Sequence, residues 1–140
     1  GLRGLAGGSG DMRELELRAD AGDESAVRAF AVFVHRLVAA IAAMSASTRG
    51  LDALVFTAGI GEGSPLVRRD VCNRLRYLGI ELDESLNASC EGEGDADIGA
   101  TSSAARVVVV KAREEVVAAR AAIHLLSGPA DARGPNQPAV

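Results

Sequence analysis

Gly59, Gly61 and Gly63 stand at every second position of Gly59-Ile60-Gly61-Glu62-Gly63, and Ser64-Pro65 follows at once. Glycines at this spacing permit positive φ and let the backbone come close to a ligand, because no Cβ intervenes. Ser64 is the expected N-cap and Pro65 the first helical residue, so free N–H groups and the positive end of a helix dipole would face the turn. That chemistry suits an anion such as a phosphate. The same pattern also serves as a plain strand-to-helix connection, and the local residues leave both readings open. Elsewhere chemistry-bearing residues are sparse. Asp11 and Arg13 flank Met12 and by themselves read as a solvated surface pair. Glu114 and Glu115 open an apolar-periodic stretch, where acids are favoured by the dipole of a starting helix. His35, beside Arg36 on the flank of an apolar stripe, reads as a structural or exposed side chain. Cys72 and Cys90 have neither zinc spacing nor a paired framework, so both are expected to be reduced thiols, with Cys72 packed in a helix.

These residues must be held by a small set of elements. Leu54-Val55-Phe56 is a short apolar run expected to form a strand covered on both faces, ended by Thr57. Upstream, Asp23 caps a helix of roughly 25 residues with Glu24 in its first turn. Its apolar stripe is Val27, Phe30, Ala31, Val34, Leu37, Val38 and Ile41, and Gly50 is its expected C′ glycine. After the glycines, a helix from Pro65 to Tyr77 points Val67, Val71, Leu75 and Leu78 inward and leaves Arg68, Arg69, Arg74 and Arg76 mostly on the other side, where a solvated face is expected and phosphate binding by Arg68 or Arg69 is the alternative. Gly79 to Asp83 alternates like a short edge strand, residues 87–103 read as a surface loop, and Arg106 to Val110 is a second buried strand. Glu114 begins the last helix, with Val116, Ala119, Ile123 and Leu126 on one face. Residues 1–10 are expected to be a glycine-rich loop or broken helix, and residues 127–140 a disordered tail. The order of elements indicates an α/β packing.

Composition narrows the function classes. The chain has 140 residues, one domain or less. A net charge of -4, with scattered Arg, removes the electrostatic basis for binding nucleic acid or an anionic membrane surface. No run approaching the roughly 18 apolar residues of a membrane span is read, nor the charged-then-apolar order of a signal peptide, so a cytoplasmic protein is expected.

The run FTAGIGEGSPLVRRDVCNRL resembles the nucleotide-binding segment of acetate kinases, FT-(A/G)-GIGEN-S followed by an Arg-bearing helix. GLRGLAGGSGDMREL is similar to the family's SGL-x-GLSG-x-S-x-D-x-R segment, and VVVVKAREEVVAAR to its closing strand, Glu pair and helix. The three motifs span residues 1–126 and resemble the carboxy-terminal third of that family, a partial nucleotide-binding domain. The resemblance implies an actin-like, ribonuclease-H-like ATPase fold, of which this would be part of the second domain, with an open sheet edge. It implies reversible transfer of the γ-phosphoryl of ATP to acetate, giving acetyl phosphate and ADP, and a homodimer. By the same resemblance, Asp11 lies near the ribose hydroxyls, Arg13 beside the adenine with Met12 between them, Gly59 to Gly63 against the nucleotide, and Glu114 near the accompanying Mg²⁺. A carboxylate accepts from a diol, a guanidinium stacks on a purine, and a carboxylate is a suitable hard ligand for Mg²⁺. No residue is assigned a catalytic role, and the isolated chain is expected to be inactive. Two departures bear on the site: Gly63 replaces the usual Asn, and Ala112-Arg113 the usual Thr-(Asn/Asp). A non-catalytic nucleotide-binding or dimerising module, or a propionate or butyrate kinase fragment, is the alternative.

Overall fold

The computed structural model describes residues 1–90 and 94–126. In chain order the elements are α1 (Leu2–Ala6), α2 (Met12–Asp20), α3 (Glu24–Thr48), β1 (Ala53–Thr57), α4 (Ala58–Gly63) and α5 (Pro65–Arg74). A 3-10 turn (Arg76–Leu78), α6 (Glu84–Ser89), β2 (Ala96–Asp97), β3 (Arg106–Val110) and α7 (Glu114–Leu126) follow. The strands form one sheet in the order β1-β3-β2. β1 runs parallel to β3, from Ala53 opposite Arg106 to Thr57 opposite Val110, so both strands end at the same edge of the sheet. β2 is antiparallel to β3.

Capping explains the helix starts. Asp23 accepts from the N–H groups of Ser25 and Ala26 at the head of α3, as its position predicts, and Ser64 accepts from Val67 N–H with Pro65 in the first turn of α5. Asp11 caps α2, a helix not anticipated from the sequence, by accepting from Arg13 N–H at 2.9 Å. Arg18 then ties the glycine-rich start of the chain down, because its guanidinium donates to Ala6 O at 2.8 Å and to Asp23 Oδ2 at 2.6 Å. That bonding holds the short α1 within residues expected to be a glycine-rich loop or broken helix.

Several expectations are corrected. β1 is covered on one face only: Leu54 and Phe56 are buried, while Val55 is 51% exposed, because the described helices pack on a single side. Gly50 follows the cap of α3 at C′ as expected, but the left-handed residue is the cap itself, Arg49, at φ 61°. Its buried positions are Ala26, Ala29, Val34 and Ser45, and Val27 and Ala31 are exposed. α3 packs against α1, α2 and α5, so its inner stripe is set by small residues where helices approach. By length and composition α3 is long and apolar enough to cross a membrane, a run the sequence reading did not credit. Residues 79–83 contribute only a bridge between Leu82 and Gly99, and the expected loop at 87–103 contains the end of α6, β2 and the buried Asn87 and Ile98. The apolar face of α7 is not buried by described residues. The expected tail at 127–140 lies outside the described residues.

The core joins Leu54, Phe56, Val107 and Val109 of the sheet to Val67, Val71, Cys72 and Leu75 of α5 and to Ile80 and Ile98. Full burial of each large apolar side chain stabilises by about 1.5–3 kcal/mol relative to exposure. Gly61 belongs to this packing, since a Cβ there would stand 3.2 Å from the backbone carbon of Phe56.

Candidate functional site

The glycine-rich segment is a helix, α4, and not an open turn. None of Gly59, Gly61 and Gly63 has positive φ; the left-handed residue is Ala58, at φ 59°. A non-glycine residue held there stores roughly 1–3 kcal/mol of backbone strain, and surrounding bonds must enforce it. Glu62 provides them: Oε1 accepts from Ala58 N–H at 2.8 Å and from Ala112 N–H at 2.7 Å, and Oε2 stands 3.6 Å from Lys111 Nζ. The Ala112 N–H, then the Ala58 N–H and the Lys111 charge, hold the Glu62 carboxyl below its ordinary range, against an opposing contribution from burial. Glu62 therefore brackets α4 to the loop after β3, and its carboxylate is taken by the protein itself.

Arg68 corrects the reading of the α5 arginines as solvated. It is fully buried. Its guanidinium donates to Asn87 Oδ1 (2.8 Å), Asn87 O (3.0 Å), Gly61 O (2.9 Å) and Glu62 O (2.8 Å), so it closes the end of α4 from beneath. Asn87 in turn donates to Pro65 O at 3.1 Å. On the other side, Ser64 donates its hydroxyl to Glu16, joining α5 to α2.

Between α2 and α4 these bonds leave a cleft of about 320 Å³, with Gly10 to Arg13 on one wall and Gly59, Ile60, Gly63 and Ser64 on the other. An adjoining cleft of about 690 Å³ shares Arg13, Gly59 and Gly63 and adds Glu16, Glu62, Pro65, Cys90 and Lys111. Both open near the carboxyl ends of the parallel strands, where ligands of open α/β sheets are bound. Asp11, Met12, Arg13, Gly59, Ile60, Glu62 and Gly63 are thus brought together. Asp11 uses Oδ1 as the α2 cap, and its second oxygen has no hydrogen-bond partner among the described residues. Met12 is almost fully buried and contributes wall only. The Arg13 guanidinium has no partner among the described residues and passes 3.5 Å from where a Cβ on Gly63 would be, so the absent Asn side chain leaves it room.

Gly61 and Glu114 are not brought in. Gly61 faces β1, as described, and Glu114 is an exposed residue in the first turn of α7, lining neither cleft. No group of three potential metal-ligating side chains occurs among the described residues. Glu114 by itself offers one hard carboxylate, a donor set that suits Mg²⁺ retaining several waters and phosphate ligands. Arg113, the cation beside it, is turned away and donates to Asp95 Oδ1 at 3.1 Å. Sequence reasoning missed Lys111 and Glu16; the one signal for Lys111 was its place just beyond the end of the valine strand.

The family model of the acetokinase family matches residues 1–120. The chain belongs to the acetokinase family. Acetate kinase of Heliobacterium modesticaldum is 44% identical over 128 residues, 91% of this chain and 32% of that protein. The acetate kinase structure from Porphyromonas gingivalis superposes with a TM-score of 0.81 at 32% identity, covering 91% of this chain and 32% of that one. A propionate kinase structure from Francisella tularensis gives 0.73 at 34% identity, covering 83% and 29%. The chain spans about a third of the length of the curated relatives it matches. Its mixed α/β architecture is that of these acetokinase structures, which have the actin-like ATPase fold.

Proposed function

We propose that this chain forms the adenosine-binding side of a short-chain carboxylate kinase, which transfers the γ-phosphoryl of ATP to acetate and runs in reverse from acetyl phosphate and ADP. The observation that carries this reading is the meeting of Asp11 and Arg13 with Gly59, Ile60 and Gly63 across one cleft at the ends of the parallel strands. Arg13 stacks on the purine, and the free oxygen of Asp11 accepts from a ribose hydroxyl. Gly59, with no atom near the position of its Cβ, keeps the opposite wall open to the ligand. Glu114 is the carboxylate offered to Mg²⁺, which when bound would neutralise phosphate charge during transfer. Glu62 and Arg68 hold α4 in place and touch no ligand. The acyl group is a short carboxylate; matches to both acetate and propionate kinases keep both within the class. A cytoplasmic homodimer completes the proposal and rests on family resemblance.

The test is calorimetric titration of the chain with ATP, with and without Mg²⁺, using Asp11→Ser and Asp11→Ala. Serine keeps the helix cap and removes the carboxylate, so weakened binding in a Ser variant of wild-type stability assigns the oxygen to the ribose. Equal affinity in wild type and Asp11→Ser would sink that role. Acetyl phosphate production by the chain alone would refute its assignment as the nucleotide side only.

A further inference from the structure

Lys111 follows the last residue of β3 and reaches the larger cleft, which it shares with Arg13, Gly59 and Gly63. Its backbone is anchored from both sides. Its own N–H donates to Asp95 Oδ1 at 3.0 Å, and the next N–H, of Ala112, donates to Glu62 at 2.7 Å. Its ammonium is held at 3.6 Å from Glu62 Oε2, with the side chain 26% exposed, so it is neither sealed in the core nor free in solvent. Glu62 Oε1 is already taken by two N–H groups, and the Lys111 ammonium, with three hydrogens and the one contact to Oε2, keeps donors for the cleft. The charged groups facing this space are Arg13 and Lys111 against Glu16 and Glu62, and Glu16 is engaged by Ser64. The two clefts also have a direction. Asp11 lines only the smaller, Lys111 only the larger, and Arg13, Gly59 and Gly63 lie between them.

We propose that Lys111 is the residue of this chain that receives a phosphate oxygen of the bound nucleotide, at the end of the cleft opposite Asp11. The proposal rests on the nucleotide reading of the cleft and adds its polarity: sugar towards Asp11, phosphates towards Lys111. An ammonium on a flexible stem acts as a point charge for phosphate, and at the carboxyl end of a parallel strand it meets a ligand lying across the sheet edge.

The experiment compares ADP with adenosine, which lacks the phosphates, by titration of the 140-residue chain followed by NMR, in wild type, Lys111→Met and Lys111→Arg. Loss of one charge-assisted hydrogen bond in a part-exposed site predicts about tenfold weaker ADP binding by the Met variant. Adenosine affinity should stay within about twofold, and arginine should restore most of the loss, because only the phosphate contact is removed. Equal weakening of ADP and adenosine would make Lys111 a structural part of the loop and overturn the proposal. So would ADP binding by Lys111→Met at wild-type strength. Wild-type chain that binds neither ligand would overturn the nucleotide reading itself and this role with it, whereas ADP binding unaffected in Lys111→Met would overturn this role alone.

Discussion

Replacing Arg68 with Met keeps the length of the side chain and removes its donors, and the structure lets the cost be worked out. Four acceptors lose their partner: Asn87 Oδ1, Asn87 O, Gly61 O and Glu62 O. The last two belong to the part-buried end of α4 and regain water once the guanidinium is gone. Asn87, however, lies on the side of α6 that packs on α5 and is 2% exposed, so its acceptors stay unsatisfied. Two buried acceptors at about 1–3 kcal/mol each, offset in part by no longer desolvating a guanidinium, give a loss of about 2–5 kcal/mol. Against a domain stability of about 5–15 kcal/mol this is a large share. A urea titration followed by far-UV circular dichroism should show the midpoint falling by about 2 M at a slope of about 2 kcal/mol/M. Arg68→Lys, which keeps the charge but cannot span four acceptors, should fall between the two. A double-mutant cycle with Asn87→Ala should give a coupling of roughly 1–3 kcal/mol, since the residues bond directly. A Met variant within about 1 kcal/mol of wild type would refute the argument that Arg68 holds α4 from below.

Three other outcomes are expected. The Ser25 hydroxyl, then Arg18 and the Ala26 N–H, hold the Asp23 carboxyl well below its usual range; its stabilising contribution is therefore fully present above the unfolded value of about 4 and drains away as pH falls below it. Urea midpoints measured at pH 7, 4 and 3 should accordingly drop less steeply for Asp23→Asn than for wild type. Burial pushes the Cys72 thiol up to about 12, while Cys90 lines the larger cleft; iodoacetamide should label Cys90 alone in the native chain and both in urea, with ADP slowing the native reaction, as mass spectrometry would show. Ala58→Gly removes a left-handed non-glycine residue and should stabilise by up to about 1 kcal/mol in thermal or urea melts, with a loss of stability counting against the strain assigned to Ala58.

What the sequence by itself determined is local. Asp23 and Ser64-Pro65 start their helices because the atoms that satisfy the first N–H groups lie within three residues, and the valines of β3 form a strand by their own preference for a pleated surface. The motifs around Asp11, Gly59 and Glu114 were also legible, since their spacing is written in the chain. Tertiary structure decided the rest. Arg68 and Arg69 are neighbours of one type, yet one is buried and the other stands 42% exposed at its side chain, because the position of α6 relative to α5 chooses which of them meets Asn87. Glu62 looked like a ligand-facing acid, but its strongest partner, the Ala112 N–H, comes from fifty positions away, beyond the reach of any local pattern. That long-range bond, formed only when β3 lies beside β1, turns a run of glycines into a helix and brings Lys111 to the cleft. Capping and periodicity act over a turn of helix or a pair of residues, whereas burial and charge pairing depend on which distant segments the sheet brings together.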